Sequence, residues 1–190
     1  MNNIRSFNIL GECGYDFAAL GFSLSFKTTV TRAMELMPKY AFGTVPGENK
    51  FLREIQVWVD ANLPRFLWQE LDQYKVGTTT LSESTVHTLA KRGLYQADFY
   101  YPLEQGVLES LNVMIKQYVK KEITLADLKN ALPEGFMQRR ISNGNYATLQ
   151  NIYIQRKNHK LELWDFIRSK ILLQCEHPEF IHKEYGHETD

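Results

Sequence analysis

A chain of 190 residues, 44% apolar and 23% charged, has the composition of a folded protein and is long enough to bury a core in one domain. Its 22 acidic and 22 basic residues cancel, which speaks against duplex nucleic acid as a partner, because that usually demands an excess of Lys and Arg. No apolar run approaches the roughly 20 residues that cross a bilayer, and the opening MNNIRSFNILGECGYDF lacks the apolar stretch of a signal peptide.

The expectation is a single-domain cytoplasmic protein with no membrane partner. Cys13 and Cys175 are far apart and show no CxxC spacing, so neither a disulfide framework nor a zinc site is expected. His177, His182 and His187 recur every five residues, which places them on no common helical face and argues against a metal.

In chain order, YDFAALGFSLSF after Gly14 is apolar and rich in small residues, and reads as a buried helix. Thr28 to Thr31 opens a second helix, VTRAMELMPKY, and the stretch from Pro38 through AFGTVPGEN reads as a loop. Ile55 to Asp60 sets Ile55, Val57 and Val59 on one side against Gln56, Trp58 and Asp60, the pattern of a half-buried strand. Pro64 suits the first turn of a helix, PRFLWQELDQYK.

Residues 102–122 predict a long helix, with Leu103, Val107, Leu111, Met114, Ile115 and Tyr118 recurring at three and four. Thr124 starts a short helix that ends before Pro133. Helices are also predicted over 146–156 and 161–172, and the tail after Pro178 reads as frayed. No strand beyond 55–60 stands out. The fold class is α+β: a mostly helical single domain with a small antiparallel sheet. Trp58, Trp68 and Trp164 read as core or interface packing.

The stretch Lys75-Val-Gly-Thr-Thr-Thr-Leu-Ser-Glu-Ser-Thr-Val-His87 is the most informative. Thr80-Leu-Ser-Glu83 has the form of a capping box, and a helix starting there would present free N–H groups and a positive dipole end. With the hydroxyls of Ser82, Ser84 and Thr85, and His87 one turn on, the stretch can either cap a helix or hold an anion such as a phosphate. Arg139 and Arg140, after the Pro133-Glu-Gly135 turn, could act as a paired clamp on phosphate or a base carbonyl. Arg156 shares the apolar side of its helix with Leu149 and Tyr153, so it needs an acceptor there. Asn158 and His159 follow at that helix end.

The 75–88 stretch, KVGTTTLSESTVHT, resembles the motif RHRxxSxNExSxRY of the flavin-dependent thymidylate synthases at the same spacing. Thr80 stands at the first Ser, Glu83 at the Glu, Thr85 at the second Ser and His87 at the final Arg. Lys75 stands at the first Arg and Ser82 at the Asn. Upstream, GENKFLREIQVWVDANLPRFLWQEL is similar to the family's segment leading through a strand into the motif. Downstream, ALPEGFMQRR and TLQNIYIQRKNHKLELWDF resemble its turn and its long helix. The likeness, to a divergent phage and bacterial branch, covers roughly residues 15–180.

What the resemblance implies is reductive methylation of dUMP to dTMP, with methylenetetrahydrofolate as carbon donor, reduced FAD as hydride source and NADPH to reduce the flavin. It implies Arg140, Ser84, Thr85, His87, Glu83 and Arg156 at the pyrimidine nucleotide, Lys75, Ser82, Asn158 and His159 at the cofactor, and a homotetramer. The chain departs from the motif in specific ways. The family's Arg-His-Arg is Lys75-Val76-Gly77, its Gly-His is Gly47-Glu48, and its Ala-Gln-x-Glu-Ile run is Leu161 to Asp165. Each change takes a cation or an imidazole from a site that binds anions. Two alternatives therefore stand beside methylation: a relative that modifies another pyrimidine nucleotide, for example by hydroxymethylation, and a non-catalytic nucleotide binder that has lost the flavin clamp.

Overall fold

The structure, a computed structural model, describes residues 5–43, 45 and 47–185. His187 lies outside the described residues. Four strands, β1 (Ser6–Cys13), β2 (Gln56–Pro64), β3 (Thr79–Ser82) and β4 (Met137–Asn145), form one antiparallel sheet in the order β1-β2-β4-β3. The helices are α1 (Tyr15–Phe26), α2 (Val30–Tyr40), α3 (Arg65–Leu71), α4 (Thr85–Arg92), α5 (Gln105–Val119), α6 (Leu125–Ala131), α7 (Tyr146–Gln155) and α8 (Leu163–Gln174). By contacts the chain divides into two compact units. The first holds Arg5, Ser6, 61–73 and 81–140; the second holds the described residues of 7–60, 74–80 and 141–185.

In the first unit, α5 turns Leu108, Leu111 and Ile115 onto Leu89 of α4 and Leu128 of α6, with Phe99, Leu132 and Phe136 completing the core. The spacing of three and four gives α5 one continuous apolar stripe. Thr124 caps α6 through a reciprocal pair: its hydroxyl accepts from the Asp127 amide while the Asp127 carboxylate accepts from the Thr124 amide.

In the second unit, α1 and α2 lie side by side. Thr29 caps α2 by accepting from the Arg32 amide. Pro38, expected in a loop, lies inside α2; its missing N–H falls in the last turn, where one lost bond does not end the helix. Helix α1 is not the buried helix its composition suggested. Ala18, Ala19, Phe22 and Ser23 are buried, while Phe17 is 78% and Leu24 73% exposed. Tyr146, Leu149 and Ile152 of α7 and Leu163, Trp164, Ile167 and Ile171 of α8 form this unit's helical core.

The described residues after Pro178, 179–185, are not frayed. A 3-10 turn over Pro178–Phe180 buries Phe180 and Ile181 completely. The Gln150 amide donates to the carbonyls of Ala41 (3.0 Å) and Phe180 (2.7 Å) and ties that end to α7. The Tyr146 hydroxyl donates to the Glu12 carboxylate and accepts from the His177 amide, fastening β1 to the same segment. Burial raises the Glu12 carboxyl above its ordinary range, opposed by the Tyr146 hydroxyl, and pushes the Cys175 thiol up to about 12.

Strand β1 is an edge, and its free side is occupied. The Gln174 side chain accepts from the Ile9 amide (2.8 Å) and donates to the Phe7 carbonyl (3.1 Å), as a neighbouring strand would.

Candidate functional site

The capping box expected at Thr80–Glu83 does not form. Thr79–Ser82 is strand β3, all four residues exposed, and α4 begins only at Thr85. Pairing with β4 overrides the local cap pattern, because β-branched Thr fits a pleated strand as readily as a helix start. The Thr80 hydroxyl meets the Ser142 hydroxyl of β4 at 3.0 Å instead of turning to an amide of its own segment. The pairing runs on to Glu83, whose amide donates to the Arg139 carbonyl at 2.9 Å.

Ser84 is thus the residue at the start of α4, and its side chain makes no capping bond. The amides of residues 85–87 open the helix without an intrahelical acceptor. Thr85 is half-buried there, and Ser82, Ser84 and His87 are exposed. The Glu83 carboxylate is exposed, with the Thr88 hydroxyl at 3.3 Å; that hydroxyl's stronger bond is to the Ser84 carbonyl at 2.6 Å.

Gln138 joins this turn to Arg140, and the sequence reading missed it. Its Nε2 donates to the Glu83 carbonyl (3.0 Å), its Oε1 accepts from Arg140 Nε (3.0 Å), and its own carbonyl accepts from the Trp68 indole N–H (2.8 Å). Arg140 Nη1 reaches both oxygens of Asp72, at 3.0 and 3.1 Å. Its guanidinium carbon lies 4.6 Å from the centre of the Trp68 ring, and the side chain is only 15% exposed. Arg140 Nη2 has no acceptor among the described residues.

Arg139 and Arg140 are adjacent on a strand, so they face opposite sides of the sheet and form no paired clamp. Trp68 and Asp72 belong to α3 and its C-cap; the helix, expected to run to Lys75, ends at Leu71, and its inward residues carry no motif signal.

The second unit holds the other predicted residues. Arg156 is the C-cap of α7; its Nε donates to the Tyr74 hydroxyl (2.9 Å), and its guanidinium lies 4.6 Å from the Trp164 ring and 5.4 Å from Tyr74. The His159 Nδ1 accepts from the Leu161 amide at 3.1 Å, so the neutral ring carries its proton on Nε2. Arg156 Nη1 stands 3.4 Å from that nitrogen. This brings two donors together and is not a hydrogen bond between them. Asn158, exposed and left-handed at φ 59, turns the chain after α7.

Lys75 is exposed, and the residues after it are closed by contacts to α7. Gly77 is left-handed (φ 73), and a Cβ there would lie 2.7 Å from Asn145 Nδ2. Asn145 is buried and caps α7, its Oδ1 accepting from the Thr148 amide at 3.0 Å. Thr148 in turn donates to the Val76 carbonyl at 3.4 Å, and the Val76 side chain is 83% exposed.

No protein-family model and no curated protein matches the chain. Solved structures do. Thymidylate synthase X from Helicobacter pylori, crystallised with FAD and dUMP, is 16% identical and matches with a TM-score of 0.75 over 97% of this chain and 100% of its own. A second structure of flavin-dependent thymidylate synthase ThyX from the same organism, complexed with FAD and dUMP, is 15% identical, with a TM-score of 0.75 over 94% and 98%. A UMP/dUMP methylase from Streptomyces cacaoi, bound with 5-Br UMP, is 12% identical, with a TM-score of 0.56 over 80% and 76%. The chain has the ThyX-like fold.

Proposed function

We propose that this protein binds a pyrimidine nucleoside monophosphate of the dUMP or UMP type at the start of α4 and modifies its base. The observation that carries the proposal is the uncapped beginning of α4, held by Gln138 to the Arg140 guanidinium. The amides of residues 85–87, the hydroxyls of Ser84 and Thr85 and the imidazole of His87 are all donors suited to a phosphate. The proteins that share the fold were crystallised with dUMP and with 5-Br UMP, which supports the same ligand class.

The narrower reading is reductive methylation of dUMP with methylenetetrahydrofolate, FAD and NADPH. Residues 75–77 do not fit a cationic flavin clamp. Lys75 is their single cation, and a side chain at the left-handed Gly77 would have to displace the Asn145 amide that caps α7. The same observation favours a second reading, a nucleotide binder that has given up the flavin.

Calorimetric titration of the purified chain with dUMP and UMP tests the first proposal. One of them binds, and Gln138→Ala weakens it about ten-fold, or ~1.4 kcal/mol. Absence of heat with both nucleotides would overturn the proposal. A flavin absorbance spectrum that persists through purification selects methylation, and a colourless protein that binds dUMP selects the binder.

We also propose a homotetramer. Phe17, Leu20 and Leu24 form an exposed apolar stripe along α1, a surface that monomers seldom leave open. Light scattering reporting a monomer at micromolar concentration would contradict it.

A further inference from the structure

A groove in the first unit, between the ends of α4 and α5, has no part in the site described above. We propose that it binds a nucleoside triphosphate. The cavity measures about 630 Å³, within the usual range for sites that enclose small ligands. Lys91, Arg92, Lys116 and Lys120 line it and no Asp or Glu does, although acids and bases balance over the whole chain. Tyr95, 58% exposed, forms part of the wall with the Arg92 guanidinium 5.6 Å from its ring centre.

Cations at helix C-termini offset the macrodipole, which is worth about half a charge at each end. Two helix ends account for about one of these four cations. Arg92 is held by Asp98 through two bonds of 2.8 and 2.7 Å. Lys120 approaches Glu122 only at 3.9 Å, with both side chains more than half exposed, a pair of little strength. Lys91 and Lys116 have no ion-pair partner among the described residues. An excess of positive charge therefore remains in a concave site, beside an aromatic face on which a base can stack. One such ring in one short groove suits a single nucleotide better than an extended strand.

The groove is also preformed. Asn112 of α5 accepts from the Leu94 amide (2.8 Å) and donates to its carbonyl (3.0 Å), fixing the chain where it leaves α4. Gly93 makes that turn at φ 72, and a Cβ there would come within 2.8 Å of Asn112 Oδ1. The triphosphate would meet Lys91, Lys116 and Lys120 and the base would lie on Tyr95, with no closure of the fold required.

The test is calorimetric titration of the full chain with magnesium-free ATP in saturating dUMP, so that binding at the start of α4 does not contribute. Adenosine and inorganic tripolyphosphate are titrated in parallel. ATP binds, adenosine and tripolyphosphate each bind at least about ten-fold more weakly, and affinity falls as salt screens the lysines. Lys116→Glu and Tyr95→Ala each lower ATP affinity by about ten-fold, the loss typical of one charge-assisted or stacking contact, while dUMP affinity and the melting temperature of Lys116→Glu stay as in the parent. No ATP binding, tripolyphosphate binding as tightly as ATP, or unchanged ATP affinity in Lys116→Glu would each overturn the proposal.

Discussion

The turn at residues 83–88 and the loop at residues 75–78 are near neighbours in sequence, and both fall within the span of one motif, but they carry opposite chemistry. At 83–88 the backbone is held by strand pairing and by Gln138, and the helix start is left open to an acceptor. At 75–78 the chain is closed against Asn145 and Thr148, with one exposed cation and a left-handed glycine. A motif can therefore persist as a fold element while only part of it keeps donors for a ligand. The difference lies in which atoms the tertiary contacts have already taken up.

The largest expected effect comes from restoring the family's residue in the closed loop. Gly77→Arg costs ~1–2 kcal/mol for a left-handed non-glycine residue and about 1 kcal/mol more if Asn145 is displaced from its cap. Urea denaturation measures the sum. A variant of parental stability that also takes up FAD would break the comparison, because the loop would then be open after all.

Next in size is Arg140→Ala, expected to cost about 2 kcal/mol of stability through loss of bonds to Asp72 and Gln138. Arg140→Lys keeps the charge but not the planar fork, and recovers only part of the loss. If Arg140→Ala leaves the denaturation midpoint unchanged and abolishes dUMP binding, Arg140 belongs to the ligand and not to the scaffold.

A smaller effect separates the two ends of the motif. With backbone atoms of Glu83 making the structural bonds, Glu83→Ala costs less than ~0.5 kcal/mol. A loss near 1 kcal/mol, measured by thermal melts, would restore its side chain as a helix cap. Glu83→Gln with altered nucleotide affinity at constant melting temperature would mark its charge as part of the site.

The smallest effect is in pH dependence. Burial raises the Glu12 carboxyl above its ordinary 4.5, so the native state holds that proton more tightly than the unfolded chain does. Its stabilising contribution is complete below about pH 4.5 and fades as pH rises through the native value. Tyr146, Glu176 and His177 act on the same group. Glu12→Gln, which is always neutral, should gain in melting temperature relative to the parent between pH 5 and 8. Parallel profiles for the two proteins would show that Glu12 is ionised at no cost.

By itself the sequence determined the helices that carry periodic apolar residues. The helices α5, α7 and α8 lie close to where spacing puts them, since a stripe at three and four has one favourable burial, and α1 and α2 lie where composition and a Thr start put them. It also determined the Thr124 cap, whose partner is only three residues away. The motif pointed to the fold, and its replaced residues to the loss of cations at 75–77. Only the tertiary structure decided β1, β3 and β4. Their residues are largely polar or exposed, and a strand of that kind exists because a neighbour takes up its amides, information that no local pattern holds. The same reason turned Thr80–Glu83 from a cap into a strand and split Arg139 from Arg140. It also hid Gln138, whose importance rests on bonds to Glu83 and Trp68, both distant in sequence, that form beside its bond to Arg140 only when the chain is folded.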